Sequence, residues 1–191
     1  MRKPLFVSFS GSHSVGKTTL LSEVAGMLRK EGFSVVCIEE SARKVSRSLH
    51  GSFEGQKLML ELLKKDLLSA RMKDVDFVLT DRAPIDMAYY SLFFACKGWN
   101  VEEIRKARDL VKNAFELTSK YIDVLFYIDG VDVVPVVDDG FRFVDQHSRY
   151  SVDLVAKSLL ALGDRFKIIH IKPRSIEETA LEIVNYLKGM V

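Results

Sequence analysis

The chain has 191 residues, 48% of them hydrophobic, and carries 28 Lys and Arg against 26 Asp and Glu. That is the size of one domain with a substantial core, and the near balance of charge excludes the broad cationic surface by which nucleic-acid binders are recognised. No run reaches the roughly 20 apolar residues of a membrane helix, and Cys37 and Cys96, in apolar sequence without C-x-x-C spacing, are expected to be reduced core residues of a cytoplasmic protein.

Residues 5–10 form a short, mostly apolar run of the kind a buried strand shows. The basic start before it faintly mimics a signal peptide, but the apolar run is too short for one. It leads directly into Gly11-Ser12-His13-Ser14-Val15-Gly16-Lys17-Thr18, which fits the pattern G-x-x-x-x-G-K-[ST] at every position. Residues 18–30 then place Leu20, Leu21, Val24 and Leu28 at helical spacing and stop at Gly32. Strand, glycine loop and helix in that order make a phosphate cradle. Backbone amides from Gly11 to Thr19 turn around an anion, Lys17 reaches the β and γ phosphates, and the Thr18 hydroxyl ligates Mg²⁺. A triphosphate with Mg²⁺ is therefore expected, and within the loop the backbone of His13 matters more than its ring.

Four further strands are expected over residues 33–38, 75–80, 122–128 and 166–171, each rich in Val, Ile and Phe. Helical pattern or capping signals occupy residues 54–72, 84–96, 100–119, 151–162 and 175–187. Asn100 with Glu103 and Ser175 with Glu178 have the spacing that satisfies orphan donors at a helix start. Alternating strands and helices imply an α/β fold with a parallel sheet and helices on both faces. Ligands of such sheets bind beyond the carboxyl ends of the strands, and the charged residues cluster there. The second strand is followed by Glu39-Glu40-Ser41-Ala42-Arg43, the third by Asp81-Arg82-Ala83-Pro84-Ile85-Asp86, the fourth by Asp129-Gly130, and the fifth by Lys172-Pro173-Arg174.

Phosphoryl transfer needs positioning, a metal and positive charge around the moving group. Asp81 ends a strand as a Walker B carboxylate does and is expected to hold Mg²⁺ with Thr18; capping the helix that begins near Pro84 is a role it can combine with this. Glu40 is placed to accept a proton from an acceptor hydroxyl or to hold its sugar; Glu39 and Glu40 should point apart, so one of them faces the site, and which one stays open. Arg43 and Arg82 suit a phosphate or a carboxylate through forked hydrogen bonds. In the insert at about residues 131–149, Asp139-Gly140 between two apolar runs marks a hairpin. Arg142 and Arg149 give it the makings of a lid that neutralises transition-state charge, and lid and plain hairpin both stay open. The aromatic run from Tyr89 to Phe94 reads as core rather than a base pocket, and His147 and His170 have no partner at metal-ligand spacing.

On Gly11 to Leu20, Glu40-Ser41-Ala42-Arg43, Asp81 to Asp86 and Asp139-Gly140-Phe141-Arg142, the chain resembles the NadR-type AAA-like P-loop domain and, more broadly, the nucleoside and nucleotide kinases, thymidylate kinase among them. The likeness runs over nearly the whole length. It implies a three-layer α/β/α P-loop NTPase fold with a five-stranded parallel sheet in the order 2-3-1-4-5, and a single domain over residues 1–191. It also implies ATP-dependent phosphorylation of a nucleoside, nucleotide or related ribosyl compound. The family's acidic residue falls on Glu40, its Asp-Arg pair on Asp81 and Arg82, and its lid arginines on Arg142 and Arg149. Pro84 and Ile85 stand where many relatives have a serine. The alternative is a P-loop ATPase or polynucleotide 5′-kinase working with a macromolecule; a GTPase is disfavoured because Ile128-Asp129-Gly130 replaces an N-K-x-D segment. The expected partner is a small-molecule phosphate acceptor, with no nucleic acid and no membrane, and a homodimer is left open.

Overall fold

The computed structural model describes residues 3–135, 145–162 and 166–191. The Val-, Ile- and Phe-rich runs become β1 (Leu5–Ser10), β2 (Val35–Ile38), β3 (Phe77–Asp81), β4 (Val124–Ile128) and β5 (Lys167–Ile171). All pair in parallel, in the order β2-β3-β1-β4-β5. Between them run α1 (Lys17–Lys30), α2 (Phe53–Arg71), α3 (Pro84–Gly98), α4 (Val101–Tyr121), α5 (Gln146–Ala161) and α6 (Ile176–Lys188). Two short 3₁₀ turns, Ser41–Lys44 and Arg47–Leu49, carry the chain from β2 to α2.

The period-two alternation of the central strands builds two cores. Phe6, Val78, Leu125 and Tyr127 point to one face, where α2, α3, α4 and α5 cover them with Leu63, Ile85, Ala114 and Val152. Val7, Phe9, Leu79 and Phe126 point to the other, against Leu20, Val24 and Leu28 of α1 and Ile183, Val184 and Leu187 of α6. Both faces are covered, which is why β1, β3 and β4 are buried along nearly their whole lengths.

Element boundaries move for local reasons. β2 begins two residues later than its apolar run because the Ser34 amide and hydroxyl both donate to Asp76 Oδ2, at 2.8 and 2.7 Å. The larger shift is at α5, which starts at Gln146 because the Asp145 carboxylate accepts from the Ser148 amide at 2.6 Å. Residues 146–149 therefore belong to a helix and not to the insert. Val133 and Val134 form a turn, donating to Gly130 O at 3.3 and 2.9 Å. The hairpin centred on Asp139-Gly140, and Arg142 with it, lies outside the described residues. The cysteine expectation needs correction: Cys37 is half-buried and Cys96 exposed, because the last turn of α3 runs out past the core. Both are free thiols. Among the described residues no helix is long and apolar enough to cross a membrane.

One buried polar chain ties the central strands to the edge where the site forms. Thr80 Oγ1 has one proton and donates it to Arg82 O at 2.9 Å, so the Ser8 hydroxyl, 2.7 Å away across the β1–β3 pair, is the donor to Thr80. Thr80→Val keeps the shape but strands the Ser8 hydroxyl and frees the Arg82 carbonyl, and it is expected to cost about 1–3 kcal/mol. Urea unfolding of the variant against the wild type measures this.

Candidate active site

At the carboxyl end of β1 the chain turns through three residues in the left-handed region: Gly11 at φ 138°, Ser14 at 55° and Gly16 at 83°. A Cβ on Gly11 would stand 2.8 Å from the Ile128 carbonyl, so the loop can cross the end of β4 only with glycine there. Gly16 caps α1 without a side-chain hydrogen bond, and the first turn holds no acidic residue. The amides of that turn, with the partial positive charge of the helix end, are thereby left for an anion. Lys17 lies inside the cradle, its Nζ donating to Gly11 O at 3.0 Å and Ser12 O at 2.5 Å. Burial first and Arg82 second push its ammonium down to about 7, against the pull of Asp81, Asp86 and Glu40. An anion in the cradle would give Lys17 an ion pair, which it does not make among the described residues.

Thr18 and Asp81 meet from opposite sides of this loop, the Thr18 hydroxyl donating to Asp81 Oδ2 at 2.5 Å. Asp81 Oδ1 is buried and has no hydrogen-bond partner among the described residues. An orphaned carboxylate oxygen beside a hydroxyl is a hard oxygen donor set, and it fits Mg²⁺. Among the described residues no group of three or more His, Cys, Asp or Glu side chains gathers to cage a metal.

Beside this pair is a buried ionic cluster. Arg82 Nε donates to Glu40 Oε1 at 2.5 Å, and its Nη1 approaches Asp86 Oδ1 at 3.4 Å. The guanidinium also sits over the Tyr90 ring, 4.9 Å from its centroid. Arg82 has φ 89°, a conformation that costs a residue with a side chain on the order of 1–3 kcal/mol. Its amide donates to Phe9 O at 3.0 Å and its carbonyl accepts from Thr80, so both flanking peptides are pinned. Burial works against the charge of Arg82, yet Glu40, Tyr90 and Asp86 more than offset it and hold its pKa well above the ordinary value. Asp86 is fully buried; burial pushes its carboxyl up, against Arg82 and Lys17. Asp86 Oδ2 accepts from the Ala83 amide at 2.9 Å, and the Ile85 amide donates to Thr118 Oγ1 at 2.9 Å. The start of α3 is thus fixed to both the cluster and α4.

The structure brings together Lys17, Thr18, Glu40, Asp81 and Arg82 and turns Glu39 and Arg43 outward to solvent. Asp129 points elsewhere and pairs with Lys157 at 2.8 Å. Arg149 reaches the loop from the first turn of α5, its Nη2 donating to Ser14 O at 3.2 Å and Gly130 O at 3.0 Å, while its own carbonyl accepts from Ser12 Oγ at 2.8 Å. Three participants had no side-chain role assigned to them from the sequence. Asp86 follows Arg82 by four residues, the spacing that would have signalled an ion pair. Tyr90 is hidden within an aromatic run that is otherwise core. The third is the ring of His13, buried with neither nitrogen hydrogen-bonded among the described residues.

Burial, then Arg82, Lys17 and Arg149, lower the His13 imidazole from 6.5 to about 4, with Asp145 opposing. A folded-state pKa below the unfolded one means that the unfolded chain binds the extra proton between those values. The neutral ring therefore contributes fully above about pH 6.5, and stability falls by up to roughly 3 kcal/mol as pH drops towards 4. His13→Gln is expected to flatten that part of the profile. Denaturant midpoints at pH 7 and 4.5 for both proteins check it.

The pattern that defines the AAA domain matches residues 6–178. The chain belongs to the AAA domain family. The chain is similar to a probable thymidylate kinase of Sulfurisphaera tokodaii, 26% identical over 196 residues and covering 98% of each chain. It also superposes on the thymidylate kinase of Candida albicans with a TM-score of 0.67 and 14% identity, covering 98% of this chain and 92% of that one. The sheet order and these likenesses give the AAA domain the fold of a P-loop nucleotide kinase.

Proposed function

We propose that the protein is an ATP-dependent phosphotransferase acting on a nucleoside, nucleotide or related ribosyl compound, as a single domain over residues 1–191. The observation that carries this reading is the convergence of two differently charged sites at one sheet edge. The cradle of Gly11 to Thr19 with Lys17 serves a polyphosphate, and the Glu40–Arg82–Asp86 cluster lies next to it. A plain ATPase needs the first and has no use for the second. The thymidylate kinase likenesses support a nucleotide-kinase reading and leave the acceptor open.

In this reading the loop amides hold the phosphates and Lys17 leaves the Gly11 and Ser12 carbonyls to meet them. Thr18 and Asp81 would hold Mg²⁺, whose charge would offset that of the phosphates. Arg149, anchored on α5, brings a cation to the loop from the side of the insert, and Arg142 is the second lid arginine. Glu40 and Arg82 orient the acceptor, with Arg43 at the outer margin. The partner is a small molecule, and nothing in the charge balance favours nucleic acid.

Incubation with Mg²⁺-ATP and a panel of nucleosides and nucleotides, following ADP, tests the reading: acceptor-dependent ADP is expected, and steady hydrolysis indifferent to every acceptor would replace it with the ATPase alternative. Lys17→Ala is expected to lower turnover by about a thousandfold or more while circular dichroism and the melting transition stay those of the folded protein. Arg149→Ala is expected to act mainly on kcat. A change confined to KM would mark Arg149 as a ground-state contact.

A further inference from the structure

Asp129 stands at a strand end, as the carboxylates of the site do, yet it turns to a lysine of α5. Lys157 Nζ lies 2.8 Å from Asp129 Oδ1 and 2.8 Å from Asp153 Oδ2, and the buried Tyr127 hydroxyl donates to Asp153 Oδ1 at 2.7 Å. Arg149, Asp153 and Lys157 follow one another at four-residue spacing, so they form one stripe along α5. The stripe spans about 12 Å of helix. It meets the end of β4 at three points: Arg149 donates to the Gly130 carbonyl, Asp153 accepts from Tyr127, and Lys157 pairs with Asp129. That end of β4 also underlies the phosphate loop. Gly11 crosses the Ile128 carbonyl there, and a Cβ on Gly130 would stand 3.2 Å from Val15.

Arg149 itself is lightly fastened. Its side chain is buried, yet among the described residues it makes no ion pair: Nη2 alone donates, to two carbonyls, and Nε is buried without a partner. A guanidinium held by one nitrogen can pivot about it. Apolar packing of Val152, Ala156 and Leu160 keeps α5 on the core, but such packing is non-directional and sets the rotation and axial position of the helix only loosely. Charge-assisted hydrogen bonds are directional. We propose that Asp129, Asp153 and Lys157 are positioning residues for Arg149: they lock α5 to the tip of β4 and so hold the guanidinium at the phosphate loop with no carboxylate bound to it. A carboxylate bound directly to Arg149 would fix it as well, but would offset the charge it brings to a phosphate. Ion pairs one and two turns further along the helix fix it without that loss. The inference rests on the role given to Arg149 in phosphoryl transfer and deepens it.

Burial lowers the pKa of Arg149, and Tyr150, Asp153 and Asp132 oppose it. Asp153 thus acts on that charge directly, and Lys157 is the cleaner residue to substitute. The test follows ADP from Mg²⁺-ATP with the full chain, using the nucleoside or nucleotide that stimulates turnover most, or water where none does. Lys157→Met is expected to lower kcat about tenfold or more, with KM for Mg²⁺-ATP within about twofold of the wild type. Lys157→Arg, which can fork to both carboxylates, is expected to recover most of the loss. In an Arg149→Ala background Lys157→Met is expected to change kcat by less than about twofold, because the group it positions is gone. Equal losses in the two backgrounds would mark a merely structural role and overturn the inference. Wild-type turnover of Lys157→Met beside a slow Arg149→Ala would overturn it too, and leave phosphotransfer standing. If Arg149→Ala turns over like the wild type, the role of Arg149 and the inference fall together, while acceptor-dependent ADP formation still decides the phosphotransferase reading. The Arg149 Nε–H signal in a nitrogen–proton correlation spectrum reads position without turnover. It is expected to shift and broaden in Lys157→Met, and an unchanged signal overturns the inference. Asp129→Ala breaks the same pair from the strand side and takes the place of Lys157→Met if that variant does not fold.

Discussion

A guanidinium buried at the end of a parallel strand is the constraint around which the rest of this site is arranged. Taking a cation out of water costs several kcal/mol unless its partners are in place beforehand. Here the partners come from two separate stretches of chain: Glu40 beyond β2, and α3, which supplies Asp86 from its first turn and Tyr90 one turn further on. Arg82 can be satisfied only if β2 lies beside β3 and α3 starts where the Thr118 hydroxyl anchors it. The Ser8–Thr80–Arg82 chain of hydrogen bonds passes the same requirement into the centre of the sheet. Misplacing any one of these elements would leave a buried charge uncompensated.

The phosphate loop answers the opposite problem. No acidic residue stands in the first turn of α1 to meet its amides, and Lys17 meanwhile rests on the loop's own carbonyls. Several buried polar atoms left without a partner among the described residues sit at this end of the molecule, including those of His13, Ser14, Ser41 and Asp81. Unsatisfied groups are costly in a core, and their concentration at one edge is the mark of a surface shaped for something it must bind. Arg149 links the two problems, because it ties α5 to the loop through Ser12 and Ser14 and so places the helix that follows the insert.

The path from residues to site was unevenly legible. The cradle could be read at once because its chemistry is local: one strand, eight residues and one helix start hold every group it needs. The strand order followed from the P-loop resemblance, and the alternation of apolar residues fixed which side chains face which layer. Arg149 was assigned to an insert because the Asp145 cap that begins α5 four residues before it went unread, its carboxylate lying inside what looked like polar loop. Asp86 stood among the charges at the end of the third strand without a role of its own, and Tyr90 passed as an ordinary member of an apolar helix. The error over Cys96 has the same origin, since apolar neighbours in sequence do not say which face of a helix turns outward.

What the sequence determined by itself is everything set by short-range order: the phosphate-binding loop, the period of each element, the caps of α4 and α6, and the gathering of charge at strand ends. What only the tertiary structure decided is how those charges are shared. Whether Glu40 meets Arg82 at all, whether Arg82 still has charge to offer a ligand, and whether the His13 ring is wet or buried all depend on side chains brought together from distant parts of the chain. Coulomb interaction and desolvation act through distances in space, and spacing along the chain does not specify them.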